Sequence, residues 1–108
     1  MRKPTSFKFG HRRVKIKYIS DKKANKLGIY GQIEPSKNEI VLDKTLKPTQ
    51  LINTLLHESV HLIADHYHWN LPAKEEEMVS ETVINGLCDL LSQNPKLLDY
   101  LAYSLKKD

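Results

Sequence analysis

Alternating apolar and charged positions predict the first strand of the fold. In residues 14–19, VKIKYI, Val14 and Ile16 alternate with lysines, which is the pattern of a half-buried strand. The polar residues 21–28 are typical of a helical turn or a loop. Residues 29–43, IYGQIEPSKNEIVLD, then predict two short strands around the turn signal PSKN. In the second strand Ile40 and Leu42 point one way and Val41 the other, so we expect it to be mostly buried.

Longer apolar periodicities in the rest of the chain predict helices. Residues 47–67 give the clearest one, and Pro48 suits its first turn, where the missing N–H costs nothing. Residues 71–95 predict a second helix, with three glutamates at the positive end of its dipole and Pro95 after its end. Residues 96–105 predict a short amphipathic third helix. A small N-terminal sheet with a hairpin, followed by helices, is an α+β fold.

Length and composition indicate one small soluble domain. A chain of 108 residues can bury one modest core, so we treat 1–108 as a single domain. No apolar run approaches the roughly 18 residues that cross a bilayer, and the N-terminus lacks the apolar segment of a signal peptide. Cys88 is the single cysteine and cannot form an internal disulfide, so a cytoplasmic location is expected. Its leucine neighbours predict a buried position.

Charge is distributed unevenly along the chain. The net charge is +4, yet residues 1–26 contain ten of the 17 Lys and Arg residues and one acid, Asp21. The other 82 residues therefore carry a balance of −5. The basic N-terminal arm, residues 1–13, could contact nucleic acid or only keep the protein soluble. No known nucleic-acid-binding motif accompanies it.

The sequence HESVH, within the first predicted helix, has the spacing of a metal site. His57 and His61 lie four positions apart, so their side chains share one side of the helix, about 6 Å apart along the axis. Two imidazoles placed this way can converge on one tetrahedral ion. Glu58 is splayed sideways from them, where a general base for a metal-bound water should be. The alternative is a metal-free helix whose two histidines are satisfied in the core.

A third ligand must come from elsewhere, and the acid-rich start of the second helix offers four glutamates. Glu75 and Glu76 lie at the helix start, where we expect them to be solvated. Glu77 and Glu81 share a helix face. Glu81 lies within an apolar stretch, where a carboxylate is costly unless it is paired, so it is the predicted ligand and Glu77 its rival. Asn85, one turn later, could hydrogen-bond a ligating histidine.

These residues resemble the gluzincin metallopeptidases, and within them the minimal catalytic domains called minigluzincins, which are similar to small phage and prokaryotic proteins. HESVH matches the first family motif, and Glu81, twenty residues after His61, matches the glutamate of the second. The resemblance covers about residues 14–95. It implies a minimal zincin catalytic domain with an active-site helix and a glutamate helix. One zinc ion would be bound by His57, His61 and Glu81, and Glu58 would activate a zinc-bound water that hydrolyses a peptide bond.

The resemblance also implies details in which this chain departs from larger relatives. Those carry an acid where this chain has Asn85, and they stabilise the oxyanion with a His or Tyr from a second subdomain that is missing here. Possible replacements are His66, Tyr67, His68, Tyr100 and Tyr103. The strand near residues 38–43 would form the upper rim of the cleft and pair with an extended peptide substrate. The C-terminal residues 95–108 could lie in the cleft and make the enzyme latent, or simply complete the core.

Two other classes of function remain open from the sequence. One is a zinc-stabilised binding module that contacts nucleic acid through the basic N-terminal arm and hydrolyses nothing. The other is a metal-free helical interaction protein. Two residues that follow HESVH carry smaller expectations. Asp65 could orient an imidazole or be a surface acid, and Trp69 should close the core between the helices.

Overall fold

In a computed structural model, the described residues are 3–28 and 30–107, with Pro35 described by its backbone alone. They form an α+β fold, as predicted. Its strands are β1 (Ser6–Phe9), β2 (Arg12–Ile19), β3 (Gly31–Glu34) and β4 (Glu39–Asp43), with a 3-10 turn at Pro35–Lys37. Its helices are α1 (Asp21–Leu27), α2 (Pro48–His66), α3 (Ala73–Gln93) and α4 (Pro95–Lys107).

The four strands form one mixed sheet in the order β1-β2-β4-β3. The central pair, β2 and β4, is parallel, and the two outer pairs are antiparallel. The predicted hairpin over residues 29–43 is present as β3 and β4. The polar segment after β2 is a short helix, which Ser20 caps by accepting a hydrogen bond from the backbone N–H of Lys23 at 3.2 Å.

Most of the described part of the basic N-terminal arm, residues 3–13, is folded into the sheet. Ser6–Phe9 pairs with β2 through a tight turn in which Gly10 has a φ of 60°, a conformation that glycine adopts without strain. Phe7 and Phe9 pack against the core and Lys8 is exposed. The alternation of a strand was therefore present in this segment, but its many charges concealed it.

The hydrophobic core lies between one face of the sheet and α2. Its members are side chains of β2, β4 and α2: Val14, Ile16, Ile40, Leu42, Leu51 and Leu62. Ile40 and Leu42 are fully buried, which confirms the prediction for β4. Burial of this set removes six large apolar side chains from water, the main favourable contribution to folding.

The helices pack in sequence, α3 against α2 and α4 against α3. Cys88 is only partly buried, and Trp69 is 42% exposed, so the prediction that Trp69 closes the core is wrong. The turn after α2 leaves this ring at the surface instead of between the helices. Within residues 3–28 and 30–107, no helix combines the length and the apolar character that crossing a bilayer requires.

Candidate metal centre

The middle of α2 presents two imidazoles to α3. His57 and His61 are one helical turn apart, their ring centroids lie 5.1 Å apart, and the planes are inclined by 75°. Both side chains are partly buried, with exposed fractions of 18% and 21%. The four-residue spacing thus places both rings on the side of the helix that the sequence pattern predicts.

Glu77 of α3 contacts both imidazoles at once. One carboxylate oxygen, Oε1, lies 2.6 Å from Nε2 of His57, and Oε2 lies 3.0 Å from Nε2 of His61. One possible ligand atom from each of the three residues lies within 4.8 Å of the others, so the group could hold a metal ion. Two imidazole nitrogens and a carboxylate oxygen are donors that zinc accepts. In this arrangement the carboxylate is that of Glu77, the rival in the sequence prediction.

Glu81, the carboxylate predicted as third ligand, lies one turn further along α3. It is exposed and lines the same pocket as His57 and Glu58, but it is not a member of the group that could hold an ion. Asn85, predicted to orient a histidine, instead accepts a hydrogen bond from Nδ2 of Asn53 at 2.8 Å. That bond joins α2 to α3, and both of its residues line the same pocket as His57.

Glu76 is the site residue that sequence reasoning missed. The expectation that it is solvated is wrong: its side chain is 20% exposed, and its Oε1 lies 3.0 Å from Nδ1 of His61. It lies one turn before the fully buried Ser80, on the face of α3 that packs against α2. A carboxylate at Nδ1 orients an imidazole and directs its Nε2 outwards. Asp65, the other possible orienter, forms an ion pair with Arg12 at 3.0 Å.

Glu58 lies beside the histidines without joining the metal-ligand group. Its carboxyl is half-buried, and burial raises its pKa above the ordinary glutamate value. The imidazoles of His61 and His57 lower the pKa in opposition, and the backbone N–H of Ile33 in β3 acts in the same direction. Glu58 is therefore a carboxylate held between the two histidines and the sheet.

The pocket at the site has a volume of about 360 Å³ and is bordered by the start of β3. The sequence prediction made the strand near 38–43 the upper rim, but β4 pairs with β2 on one side and β3 on the other. Its backbone groups are therefore used within the sheet. The strand that borders the pocket is β3, the first strand of the hairpin, which lies at the edge of the sheet.

Residues proposed as oxyanion stabilisers do not surround this pocket. Its described lining contains neither His66, Tyr67 and His68 nor any residue of α4, and includes Tyr30. Tyr30 also lines a larger groove of about 1010 Å³ that continues between α2 and α3, where α4 contributes Leu98. The position of Tyr30, directly before the edge strand, is the signal that could have indicated it.

Comparison with known proteins adds no relative. No protein-family profile matches this chain, and neither a curated protein nor a solved structure matches it. The function must therefore be argued from the geometry of the site.

Proposed function

We propose that this protein is a zinc-dependent metallopeptidase that hydrolyses peptide bonds. The observation that carries the proposal is the convergence of His57, His61 and a carboxylate of α3 next to Glu58, a second carboxylate outside the ligand group. A structural zinc site usually has four protein ligands, whereas a catalytic site has three and an open position. A three-donor group with a neighbouring free glutamate supports catalysis.

The donor chemistry supports zinc as the metal. Two neutral imidazoles and one carboxylate form a common catalytic ligand set for this ion. Bound there, zinc would polarise a peptide carbonyl and lower the pKa of water. Glu76 would hold His61 by Nδ1, so that Nε2 stays directed at the ion.

Glu58 would serve as the general base. Its carboxylate would take a proton from the attacking water and later deliver it to the nitrogen of the leaving amine. Burial raises the pKa of this carboxyl, and a base whose pKa lies closer to the working pH transfers protons in both directions more readily.

The edge strand supports a peptide as the substrate. The backbone N–H of Asp43 donates to the carbonyl of Tyr30 at 2.9 Å, and hydrogen-bonded pairs alternate along antiparallel strands. Gly31 and Ile33 therefore direct their backbone groups away from β4, towards the open side of the sheet, where the N–H of Ile33 already bonds to the Glu58 carboxyl. An extended peptide could add there as a further strand and pass the site.

Two carboxylates compete for the third ligand position. Glu77 is supported by its contacts with both histidines. Glu81 is supported by the resemblance to minigluzincins, in which the ligand follows the second histidine by this distance. Both lie on the side of α3 that lines the pocket, and a change of side-chain rotamer could exchange them.

Metal analysis together with peptide cleavage tests the proposal. We expect about one zinc per chain, lost in His57→Ala. Glu58→Gln should keep the zinc and lower cleavage of a mixed peptide library by about 10²–10⁴-fold, because it removes only the base. The matched control is Glu75→Gln, a change of the same charge at an exposed position outside the pocket.

The result also separates the alternatives. Zinc binding with no cleavage by the unmodified chain would favour a zinc-stabilised binding module, and absence of zinc would return both histidines to a structural role. Of Glu77→Ala and Glu81→Ala, we expect one variant to lose the metal and the other to retain it, which identifies the third ligand. If both variants keep the metal, neither Glu77 nor Glu81 is the only carboxylate ligand.

Three further expectations from the sequence stay predictions. They are latency through residues 95–108, a cytoplasmic location and a phage or prokaryotic source.

A further inference from the structure

The face of the sheet that points away from α2 carries a row of positive charge. Val14 and Ile16 of β2 point into the core, so the intervening residues of this strand point to the opposite face. Arg13, Lys15 and Lys17 are exposed there. Lys8 of β1 lies beside them, directly opposite Arg13 in the register. We name these four residues the basic sheet face: Lys8, Arg13, Lys15 and Lys17.

Among the described residues, the fold provides no ion pair for these four charges. Like charges directly opposite each other on neighbouring strands destabilise a sheet, and Lys8 and Arg13 are such a pair. In the described part of the chain, none of the four takes part in an ion pair. Glu39 is the Cα partner of Lys15 but does not bond to it, and Glu34 bonds to Lys37 at 3.1 Å. The row thus has a cost for stability, and its one side-chain hydrogen bond among the described residues is neutral, from Arg13 to the hydroxyl of Ser6 at 3.4 Å.

Helix α1 extends the positive region along the chain. It follows β2 directly and adds Lys22, Lys23 and Lys26, all exposed. Its single acid, Asp21, bonds with its carboxylate to the backbone N–H of Lys22 at 2.8 Å. Clustered charge of one sign attracts a polyanion over several ångströms.

We propose that the basic sheet face binds double-stranded nucleic acid through its phosphates, without reading sequence. Successive outward residues of a strand lie about 6.6 Å apart, so three cations of β2 span about 13 Å on a firm surface. Phosphate contacts of this type supply affinity independent of base sequence.

The chemistry of the face argues against other polyanions. Among the described residues that the pleat directs to this face, none is aromatic, whereas single-strand binding relies on stacking of bases on aromatic rings. Val41 is the apolar residue at its centre, too little for insertion into a membrane surface. Three of the four cations are lysines, which bind phosphates as point charges.

Binding of a fluorescent 20-base-pair duplex of arbitrary sequence, followed by anisotropy, tests the proposal on the full chain. Four phosphate contacts predict a slope of log K against log salt near −3.6, so affinity should fall roughly 100-fold between 50 and 200 mM salt. Lys15→Gln with Lys17→Gln should reduce the steepness of that slope by about 2. The matched control is Lys106→Gln with Lys107→Gln, which removes the same charge from exposed positions of α4.

Three outcomes would overturn the proposal: no duplex binding at 50 mM salt, equal loss in both double variants, or displacement of the duplex by a polyglutamate peptide of equal charge. Preference for vesicles of anionic lipid over the duplex would assign the face to a membrane instead. The proposal does not depend on zinc or on peptidase activity, because the basic sheet face lies on the opposite side of the sheet from His57. A His57→Ala variant should therefore bind the duplex like the unmodified chain.

Discussion

The sheet with α2, the stronger half of the molecule, and α3 with α4, the weaker half, differ in how much apolar surface they bury. The sheet and α2 share a core in which Ile40, Leu42 and Val14 are completely buried. By contrast, α3 buries Ser80 and Ile84, and α4 buries no described residue. Large apolar side chains of α3 and α4 remain exposed: Met78, Val83, Leu87, Leu90, Leu97, Leu98, Tyr100, Leu101, Tyr103 and Leu105.

The difference matters because α3, the helix with the smaller buried core, supplies the carboxylates that contact the histidines. Much of what joins α3 to α2 is polar: Glu77 to both histidines, Glu76 to His61, and Asn53 to Asn85. The histidines are thus placed by a hydrophobic core, whereas the acids are placed by the contacts of the site itself. A metal ion at this position would tie the two halves together.

Truncation of a core residue gives the largest expected contrast between the halves. Leu42→Ala removes a fully buried side chain and should lower the free energy of unfolding by about 2–5 kcal/mol. Leu90→Ala, the matched change on α3, should cost only about 1 kcal/mol because Leu90 is 48% exposed. Denaturant unfolding followed by circular dichroism measures both values. Equal losses would show that the α3 surface is covered in solution.

Addition of zinc should strengthen the weaker half selectively. At a free concentration of 100 times Kd, binding to the folded chain stabilises it by about 2.7 kcal/mol. Hydrogen exchange should slow most in α3, which depends on polar contacts, and little in β4. His57→Ala supplies the control and should abolish both effects. Uniform slowing across the chain, or slowing that persists in the variant, would contradict a metal link between α2 and α3.

The stronger half and the histidines were predictable because their signals are local. The apolar residues around Ile40 predict the burial of β4. The four-residue spacing of His57 and His61 predicts that both lie on one face of the helix. A similar alternation in β1 was hidden because Phe7 and Phe9 stand among basic residues. The basic composition of this segment concealed the alternation of a strand, which is formed by pairing with β2.

The acids could not be assigned because their roles depend on how two helices align. Glu76 and Glu77 are adjacent in sequence, yet one supports His61 at Nδ1 and the other contacts both Nε2 atoms. Only the burial of Ser80 and Ile84 reveals which face of α3 is turned inwards. The order of the strands likewise depends on long-range pairing, so the edge position of β3 was not readable from the hairpin pattern.

The close contact between β3 and α2 beside the pocket gives a smaller expected effect than truncation of Leu42. A Cβ on Gly31 would lie 2.5 Å from Cγ2 of Thr54 and 3.0 Å from Cδ2 of Leu42. Gly31→Ala should therefore push the edge strand from α2 and cost about 1–3 kcal/mol in unfolding experiments. Thr54→Ser removes that methyl group and keeps the hydroxyl that donates to the Gln50 carbonyl at 2.8 Å. The double variant should recover part of the loss, whereas a purely additive result would mean that the strand approaches α2 less closely than this contact requires.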